Sequence, residues 1–301
     1  MSDLNPTLDS ISVPEPEPAP APQPAIAVPA PPVFRRVPHL GHAALLFALL
    51  IAGLISSAIL MLVSMHYRLF GIGTVNEAMR SLGFNLGAMV VVYAIAFVPA
   101  AIAFPHLWGR GVLLGLQWNA SSALGFWRRL VICGIACFGV AFACKSLFHF
   151  PDHTPMQDLL RTPADMWLML VFAVTLAPLC EEIIFRGMLL PAFATAADWT
   201  AEKLTGRPPR PLLANGHPQW SVPAMAIGSV LASIIFALYH SFQNANALGP
   251  AVLIFSVSII LCAVRLATRS VAASTLTHAT YNFTLFVVTF ISTSGFRHLH
   301  K

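Results

Sequence analysis

The sequence has 301 residues, of which 57% are hydrophobic and only 10% are charged. Its mean hydropathy of +0.74 is outside the usual range of soluble domains and is typical of a membrane protein with several spans. The formal net charge of +5 does not indicate a nucleic-acid partner, because Lys and Arg are scattered over short loops and form no contiguous basic patch.

The chain begins with a proline-rich segment. Residues 1–38 contain eleven of the 24 prolines, including the run VPEPEPAPAPQPAIAVPAPPV. Such a composition cannot form a packed core and favours polyproline-like conformations. We therefore predict a disordered tail over residues 1–38.

Apolar segments of membrane-spanning length follow the tail. Each is close to the roughly 20 residues that a helix needs to cross a bilayer. They lie near residues 42–65, 84–105, 129–148, 166–192, 222–241, 249–267 and 270–292. The sequence therefore predicts an all-α, polytopic transmembrane bundle of about seven to eight spans. We divide it into a first group of helices over 39–160, a second group over 161–292 and a short tail over 293–301.

The distribution of basic residues predicts the orientation. If the N-terminus is cytoplasmic, ten Lys and Arg residues of the loops and span edges lie on the cytoplasmic side and six lie on the opposite side. Cytoplasmic loops usually carry the excess of Lys and Arg. We expect an integral membrane protein with a cytoplasmic N-terminus.

The fourth apolar segment contains charges in its middle. Within TLAPLCEEIIFRGMLL, residues 175–190, Glu181 and Glu182 are the only acids deep inside an apolar run. A carboxylate at membrane depth costs at least about 2.5–3.5 kcal/mol. In an α-helix, Glu182 and Arg186 are four residues apart and can pair, whereas Glu181 points about 100° away. We expect Glu181 to face the bundle interior, near a kink caused by Pro178.

Two later spans supply possible partners for these acids. FALYH places Phe236 and His240 on one helix face, and HATYN places His278 and Asn282 on one face of another helix. A carboxylate with one imidazole can take a proton from water, while a second imidazole and an amide donate hydrogen bonds to a developing oxyanion. Brought together, these groups are sufficient for hydrolysis. Each histidine or amide alone is more simply explained as a hydrogen-bonded packing residue between helices.

The order of the three motifs resembles the CAAX protease and bacteriocin-processing family of intramembrane proteases, also called CPBP or ABI. The motifs are Glu-Glu-x-x-x-Arg from Glu181 to Arg186, Phe-x-x-x-His from Phe236 to His240, and His-x-x-x-Asn from His278 to Asn282. The similarity covers roughly residues 165–290. It identifies the second group of helices, 161–292, as the catalytic domain.

The resemblance implies an intramembrane endopeptidase that hydrolyses a peptide bond of a membrane-associated protein or peptide. In prenyl-processing relatives, the cut releases the last three residues after a lipidated cysteine. Glu181 is then the general base for water, assisted by His240, and His278 and Asn282 form the oxyanion site.

The resemblance leaves Glu182 and Arg186 as supporting residues. It also implies a glutamate-type enzyme without an essential metal, although the family was formerly grouped with the metalloproteases. No cofactor is expected.

Two alternatives remain open from the residues themselves. The sequence lacks the compact His-Glu-x-x-His zinc motif, but a divalent metal could still be held by Glu181, His240 and His278. A different class of protein, namely a non-catalytic transporter, immunity or peptide-binding protein, could use the same polar cluster. Transporters usually place such groups in two matching halves. Here all of them lie in the second half of the chain, which favours the enzyme.

Residues beside the three motifs are candidates for the wall of the same cavity. They are Thr277, Tyr281, Tyr239 and Gln243.

Overall fold

The computed structural model describes residues 36–213 and 216–298. Most of the predicted proline-rich tail, and the last three residues of the predicted C-terminal tail, lie outside these ranges. The described chain begins with Arg36, whose guanidinium donates to both carboxylate oxygens of Glu202 at 3.0 and 2.8 Å. Val37 is buried, so these residues are held against the helical body.

Helices account for 78% of the described chain. They are α1 (Leu40–His66), α2 (Val75–Arg80), α3 (Leu82–Trp108), α4 (Val112–Gly115), α5 (Ala120–Gly125), α6 (Trp127–Leu147), α7 (Pro163–Val174), α8 (Leu176–Glu182), a π-helix (Ile183–Leu189), α9 (Leu190–Thr205), α10 (Val222–Ser241), α11 (Leu248–Thr268) and α12 (Val271–Ser292). Within the described ranges there is no β-strand, and the one β-bridge joins Leu212 to Pro218. The predicted all-α fold is confirmed.

Within the described residues, six helical segments are long and apolar enough to cross a membrane. They are α1, α3, α6, the continuous run Pro163–Thr205, α10 and α11. The seventh predicted span is α12, which has 22 residues but whose Ser, Thr, His and Asn side chains lower its hydropathy. The predicted count is thus close to the observed one, and the protein is an integral membrane protein.

The long run Pro163–Thr205 is not a regular α-helix. Its backbone breaks at Thr175, where φ is −115° and ψ is −81°, three residues before Pro178, the predicted cause of a kink. Proline lacks the amide hydrogen that an α-helix needs at this point. The next irregularity is the seven-residue π-helix, which no pattern in the sequence predicts. Glu181 and Glu182 lie between the two irregularities.

Small residues bring helices of the second group into close contact with each other and with α6. A Cβ atom on Gly134 of α6 would lie 2.7 Å from the Thr277 carbonyl oxygen of α12. A Cβ atom on Gly228 of α10 would lie 2.7 Å from the Leu190 carbonyl oxygen. Helices in membranes commonly approach each other at such glycines, because burial of apolar surface does not drive their association in lipid. These contacts hold α12 against α6, and α10 against the helical run that carries the two acids.

A buried cap fixes the start of α10. Asp198 of α9 accepts hydrogen bonds from the Ser221 hydroxyl at 2.6 Å and from the Ser221 amide at 2.9 Å. The Ser221 hydroxyl in turn accepts from the Ala224 amide, as an N-cap residue does. This anchor holds one end of α10, and His240 lies near its other end.

Candidate active site

Glu181 lies on the wall of a large cavity that residues of both groups of helices line. The cavity has a volume of about 790 Å³, which is within the usual range for ligand pockets. The Glu181 residue is only 7% exposed, so its carboxylate faces the cavity and not the lipid. Its neighbour Glu182 is fully buried behind it.

Two imidazoles face the Glu181 carboxylate from different helices. The Nε2 atom of His240 lies 3.7 Å from Oε1 of Glu181, and the Nε2 atom of His278 lies 3.8 Å from Oε2. These distances are too long for direct hydrogen bonds. They fit an arrangement in which a water molecule bridges the polar atoms.

The other ring nitrogen of each histidine has a partner that sets the orientation of the ring. Nδ1 of His240 lies 2.9 Å from the Phe236 carbonyl oxygen, and Nδ1 of His278 lies 2.9 Å from Oε1 of Glu182. Both partners accept hydrogen bonds, so we assign a hydrogen to each Nδ1. In its neutral form each ring then presents the lone pair of Nε2 to Glu181.

Glu182 and Arg186 form the predicted ion pair. Nη1 of Arg186 donates to Oε1 of Glu182 at 2.9 Å, and both side chains have no exposed surface. The guanidinium lies over the ring of Phe236, with 4.7 Å from Cζ to the ring centroid. Glu182 therefore contacts both Arg186 and His278 and connects the ion pair to the candidate site.

Asn282 lies on the same cavity and supports the break in the long helix. Its Nδ2 atom donates to the Ala173 carbonyl oxygen at 2.7 Å, close to the irregular Thr175 and on the N-terminal side of Pro178. An Asn side chain has two N–H groups on Nδ2. One of them is used in this bond, and the second remains for another acceptor.

One of the comparisons with known proteins found a match. Residues 163–284 match the family model described as type II CAAX prenyl endopeptidase Rce1-like. The predicted family resemblance is confirmed. The matched segment includes all six predicted site residues. The searches of curated proteins and of solved structures gave no match.

The Rce1-like segment supplies the polar end of the cavity, and both groups of helices supply its apolar remainder. Glu181, His240, His278 and Asn282 all line it. Apolar residues line the opposite part, and several of them lie before the Rce1-like segment. They are Met79, Leu82, Leu86, Met89, Phe150, Met156, Leu159 and Leu160. The cavity therefore combines a polar cluster with a large apolar surface.

The further candidates for the cavity wall divide into two groups. Tyr239, Gln243 and Tyr281 line the cavity. Thr277 does not, because it is fully buried and its hydroxyl donates to the Ala273 carbonyl oxygen of its own helix at 3.1 Å. The Thr277 backbone meets α6, where a Cβ atom on Gly134 would lie 2.7 Å from the Thr277 carbonyl oxygen.

The two histidines meet although they lie at different positions along their helices. His240 is the second-last residue of α10, whereas His278 is the eighth residue of α12, so straight parallel helices would separate them. Phe236, one turn before His240, contacts both imidazole rings, with centroid distances of 4.4 and 5.9 Å. The end of α10 therefore lies beside the first turns of α12 at Glu181.

The metal alternative depends on the side chains that could act as ligands. Within residues 36–213 and 216–298, no group of three or more His, Cys, Asp and Glu side chains is arranged to hold a metal ion. The expectation that no cofactor is needed stays a prediction.

Residues behind the site have no signal in the sequence. Ser258 of α11 accepts a hydrogen bond from Nη2 of Arg186 at 2.7 Å through its hydroxyl and another at 3.1 Å through its carbonyl. A serine within an apolar helix gives no local sign of such a contact. Only the packing of α11 against the π-helix reveals it.

Proposed function

We propose that this protein is an intramembrane endopeptidase in which Glu181 activates water for hydrolysis of a peptide bond. The observation that carries the proposal is the pair of imidazole Nε2 atoms at 3.7 and 3.8 Å from the two oxygens of a carboxylate on a cavity wall. The Rce1-like match supports a protease that acts on a protein substrate at the membrane.

The first step is the binding of water between acceptors. Glu181 and Nε2 of neutral His240 both accept hydrogen bonds, so one water molecule can donate one O–H to each. Its oxygen lone pair is then free to attack the carbonyl carbon of the scissile bond. As the C–O bond forms, Glu181 takes the proton from the water.

The charges of the buried cluster support a proton on His278. Glu181 and Glu182 carry two negative charges, and Arg186 supplies one positive charge. Uncompensated charge is costly in a buried site, so a proton on Nε2 of His278 makes the four-residue cluster neutral. In that state Nδ1–H donates to Glu182, and Nε2–H can donate to the oxyanion of the tetrahedral intermediate.

The intermediate then collapses. The second N–H of Asn282 is the other candidate donor to the oxyanion, because the first is bonded to Ala173. When the C–N bond breaks, Glu181 returns its proton to the leaving amine, which balances the reaction. The apolar part of the cavity accommodates the hydrophobic residues or a lipid group of a membrane-associated substrate.

The test compares membrane peptides in cells that produce the wild-type protein or Glu181→Gln. A carboxamide keeps the size of the side chain but cannot accept the proton, so we expect specific cleavage products to disappear. Purified wild-type protein in vesicles should then cleave the identified substrate. Glu202→Gln, on the same helical run but away from the cavity, is the matched control and should retain cleavage.

Two outcomes contradict the proposal. One is equal cleavage by wild type and Glu181→Gln, which removes the proposed base. The other is binding or export of a peptide by the wild type without any cleavage, which supports the non-catalytic class of protein.

We also propose that the N-terminus is cytoplasmic, as the distribution of Lys and Arg predicts. Labelling of single cysteines with a membrane-impermeant reagent, one before α1 and one in the loop between α6 and α7, tests this orientation. Labelling from outside the cell at the first position contradicts it.

A further inference from the structure

A chain of hydroxyl and thiol groups extends from the candidate site into the contact between α10 and α11. It consists of Ser258, Ser233, Cys262 and the Ser229 carbonyl oxygen. Ser258, Ser233 and Cys262 have no exposed surface. None of these groups lines the cavity, so none can touch a substrate there.

The donors and acceptors of this chain have one consistent direction. The Ser258 hydroxyl accepts from Arg186, so its own hydrogen goes to the Ser233 oxygen at 2.9 Å. The Cys262 thiol donates to the Ser229 carbonyl oxygen at 3.9 Å. The remaining hydrogen, that of Ser233, therefore points to the Cys262 sulfur at 3.7 Å. Each side chain in the chain is thus both donor and acceptor.

Arg186 depends on Ser258 for its position. The guanidinium has hydrogen bonds to Glu182 and to the hydroxyl and carbonyl oxygens of Ser258. Its Nε atom has no hydrogen-bond partner within the described part of the chain. Ser258 therefore accepts two of the three hydrogen bonds that orient a fully buried cation, which also lies over the Phe236 ring.

The orientation of Arg186 reaches the reacting atoms through Glu182. Oε1 of Glu182 contacts both Nη1 of Arg186 and Nδ1 of His278, each at 2.9 Å. A displaced guanidinium therefore displaces the carboxylate oxygen on which the His278 ring is aligned. The Nε2 atom of that ring then moves relative to Glu181.

We propose that Ser258, held by Ser233, is a positioning residue that orients His278 toward Glu181 through Arg186 and Glu182. This inference rests on the proposed hydrolysis for its effect on rate, but not for its effect on the His278 ring. Functional groups need supporting residues that lock their rotamers, and a displacement of about 1 Å can cost about a hundredfold in rate.

The first measurement does not require catalysis. Nitrogen NMR of protein labelled in its histidines, assigned with His278→Ala, reports whether Nδ1 of His278 carries a hydrogen that is held in a hydrogen bond. We expect Ser258→Ala to weaken this signal. Ser256→Ala, on the same helix, is the matched control, because its hydroxyl bonds only to the Val252 carbonyl oxygen of its own helix; it should leave the signal unchanged.

The second measurement is cleavage of the substrate by the same variants. We expect Ser258→Ala to lower kcat by between about tenfold and a hundredfold with little change in KM, because alignment and not binding is lost. Ser233→Ala should give a smaller loss, since the contact between Arg186 and Ser258 remains. In a Glu182→Gln background, Ser258→Ala should have no further effect, because the connection to His278 is already changed.

The outcomes separate this inference from the proposed function. An unchanged His278 signal in Ser258→Ala, or an equal loss of kcat with and without Glu182→Gln, overturns the positioning role. If Ser258→Ala does not fold, Ser233→Ala decides by the same two criteria. A wild-type protein that cleaves nothing contradicts the proposed function, while the NMR comparison still tests the orientation of the ring.

Discussion

The two groups of helices are built differently, although both are apolar. In the described first group, α1 to α6, the buried polar side chains are His42 and Ser64. In the second group they include three acids, two arginines, His278 and a series of serines and threonines. The first group resembles an ordinary membrane bundle held by packing, whereas the second uses polar contacts both to hold helices together and to build a site.

The difference shows in which part of the protein hydropathy is sufficient to predict where side chains lie. In the first group, a side chain is described adequately by its affinity for lipid and by its size. In the second group, the same kind of helix contains groups whose positions depend on specific donors and acceptors. Variants in the two groups should therefore fail in different ways, and four predictions test this.

The largest effect is expected at the two histidines. His240→Ala and His278→Ala should each lower cleavage by about 10²–10⁴-fold, the usual contribution of a positioned acid or base. Only His278→Ala should also lower the melting temperature, because Glu182 then loses a buried hydrogen-bond donor. His240 bonds a carbonyl near the end of its own helix, so its loss is structurally milder.

The measurement combines a cleavage assay with thermal unfolding in detergent. His66→Ala is the matched control, because this histidine is exposed at the end of α1 and does not line the cavity. It should change neither cleavage nor the melting temperature. Cleavage by His240→Ala above about a tenth of the wild-type rate contradicts the role of this residue.

Arg186 tests the cost of breaking a buried ion pair. Arg186→Met leaves the charge of Glu182 buried without its cation, which typically costs about 3–5 kcal/mol in the free energy of unfolding. Activity should be lost as well. The double variant Arg186→Met with Glu182→Met should recover most of the stability but not the activity, because two apolar side chains can replace a buried pair.

Unfolding free energies in a denaturing detergent series measure both variants. A double variant as unstable as the single one contradicts the view that the unpaired carboxylate causes the loss. In that case the contacts of Arg186 with Ser258 and Phe236 carry the stability.

Gly53 tests the packing of the first group. A Cβ atom at this position of α1 would lie 2.9 Å from the Val92 Cα and carbonyl oxygen of α3, so Gly53→Ala forces the two backbones apart. Overpacking of this kind costs about 1–3 kcal/mol. The rate of cleavage per folded molecule should stay unchanged, since no residue of the candidate site touches this contact.

Gly87→Ala in α3 is the matched control, because a Cβ atom there meets no other atom within 4 Å. It should leave stability unchanged or raise it slightly, since Ala favours a helix more than Gly. Equal melting temperatures for Gly53→Ala and Gly87→Ala contradict the close packing of α1 on α3.

The same contrast explains what could be predicted from sequence. Hydropathy over a window of helical length is a strong signal, so six of the seven predicted spans agree with a helix to within a few residues. The fourth, predicted to end at residue 192, belongs to a helical run that continues to Thr205. The pair of Glu182 with Arg186 follows from helical spacing alone. The π-helix after Glu182 has no such signal, because it depends on how neighbouring helices pack.

The contacts of the site residues with backbone carbonyl groups and with serine could not be predicted from the sequence either. Asn282 donates to the Ala173 carbonyl oxygen, two residues before the break at Thr175. Ser258 is identified only by its distance to Arg186. The residue types of the candidate site could thus be predicted, but the contacts that orient them required the fold, and their catalytic roles stay predictions.

The smallest effect is expected at the ion pair between Arg36 and Glu202. It has the same chemistry as the pair of Arg186 with Glu182, and a bidentate geometry, but its side chains are 20% and 12% exposed. Water and salt stabilise such charges even when they are separated. Arg36→Gln should therefore lower the free energy of unfolding by only about 0.2–1 kcal/mol. The loss should shrink further at high salt.

Free energies of unfolding of Arg36→Gln and Arg186→Met are measured at low and at high salt. The comparison shows how burial changes the contribution of an ion pair to stability. If Arg36→Gln lowers the free energy of unfolding as much as Arg186→Met does, the start of the described chain is as essential to the fold as the buried cluster. A small, salt-sensitive loss, against a large and salt-insensitive one at Arg186, means that burial and not charge pairing makes the second group of helices sensitive to substitution.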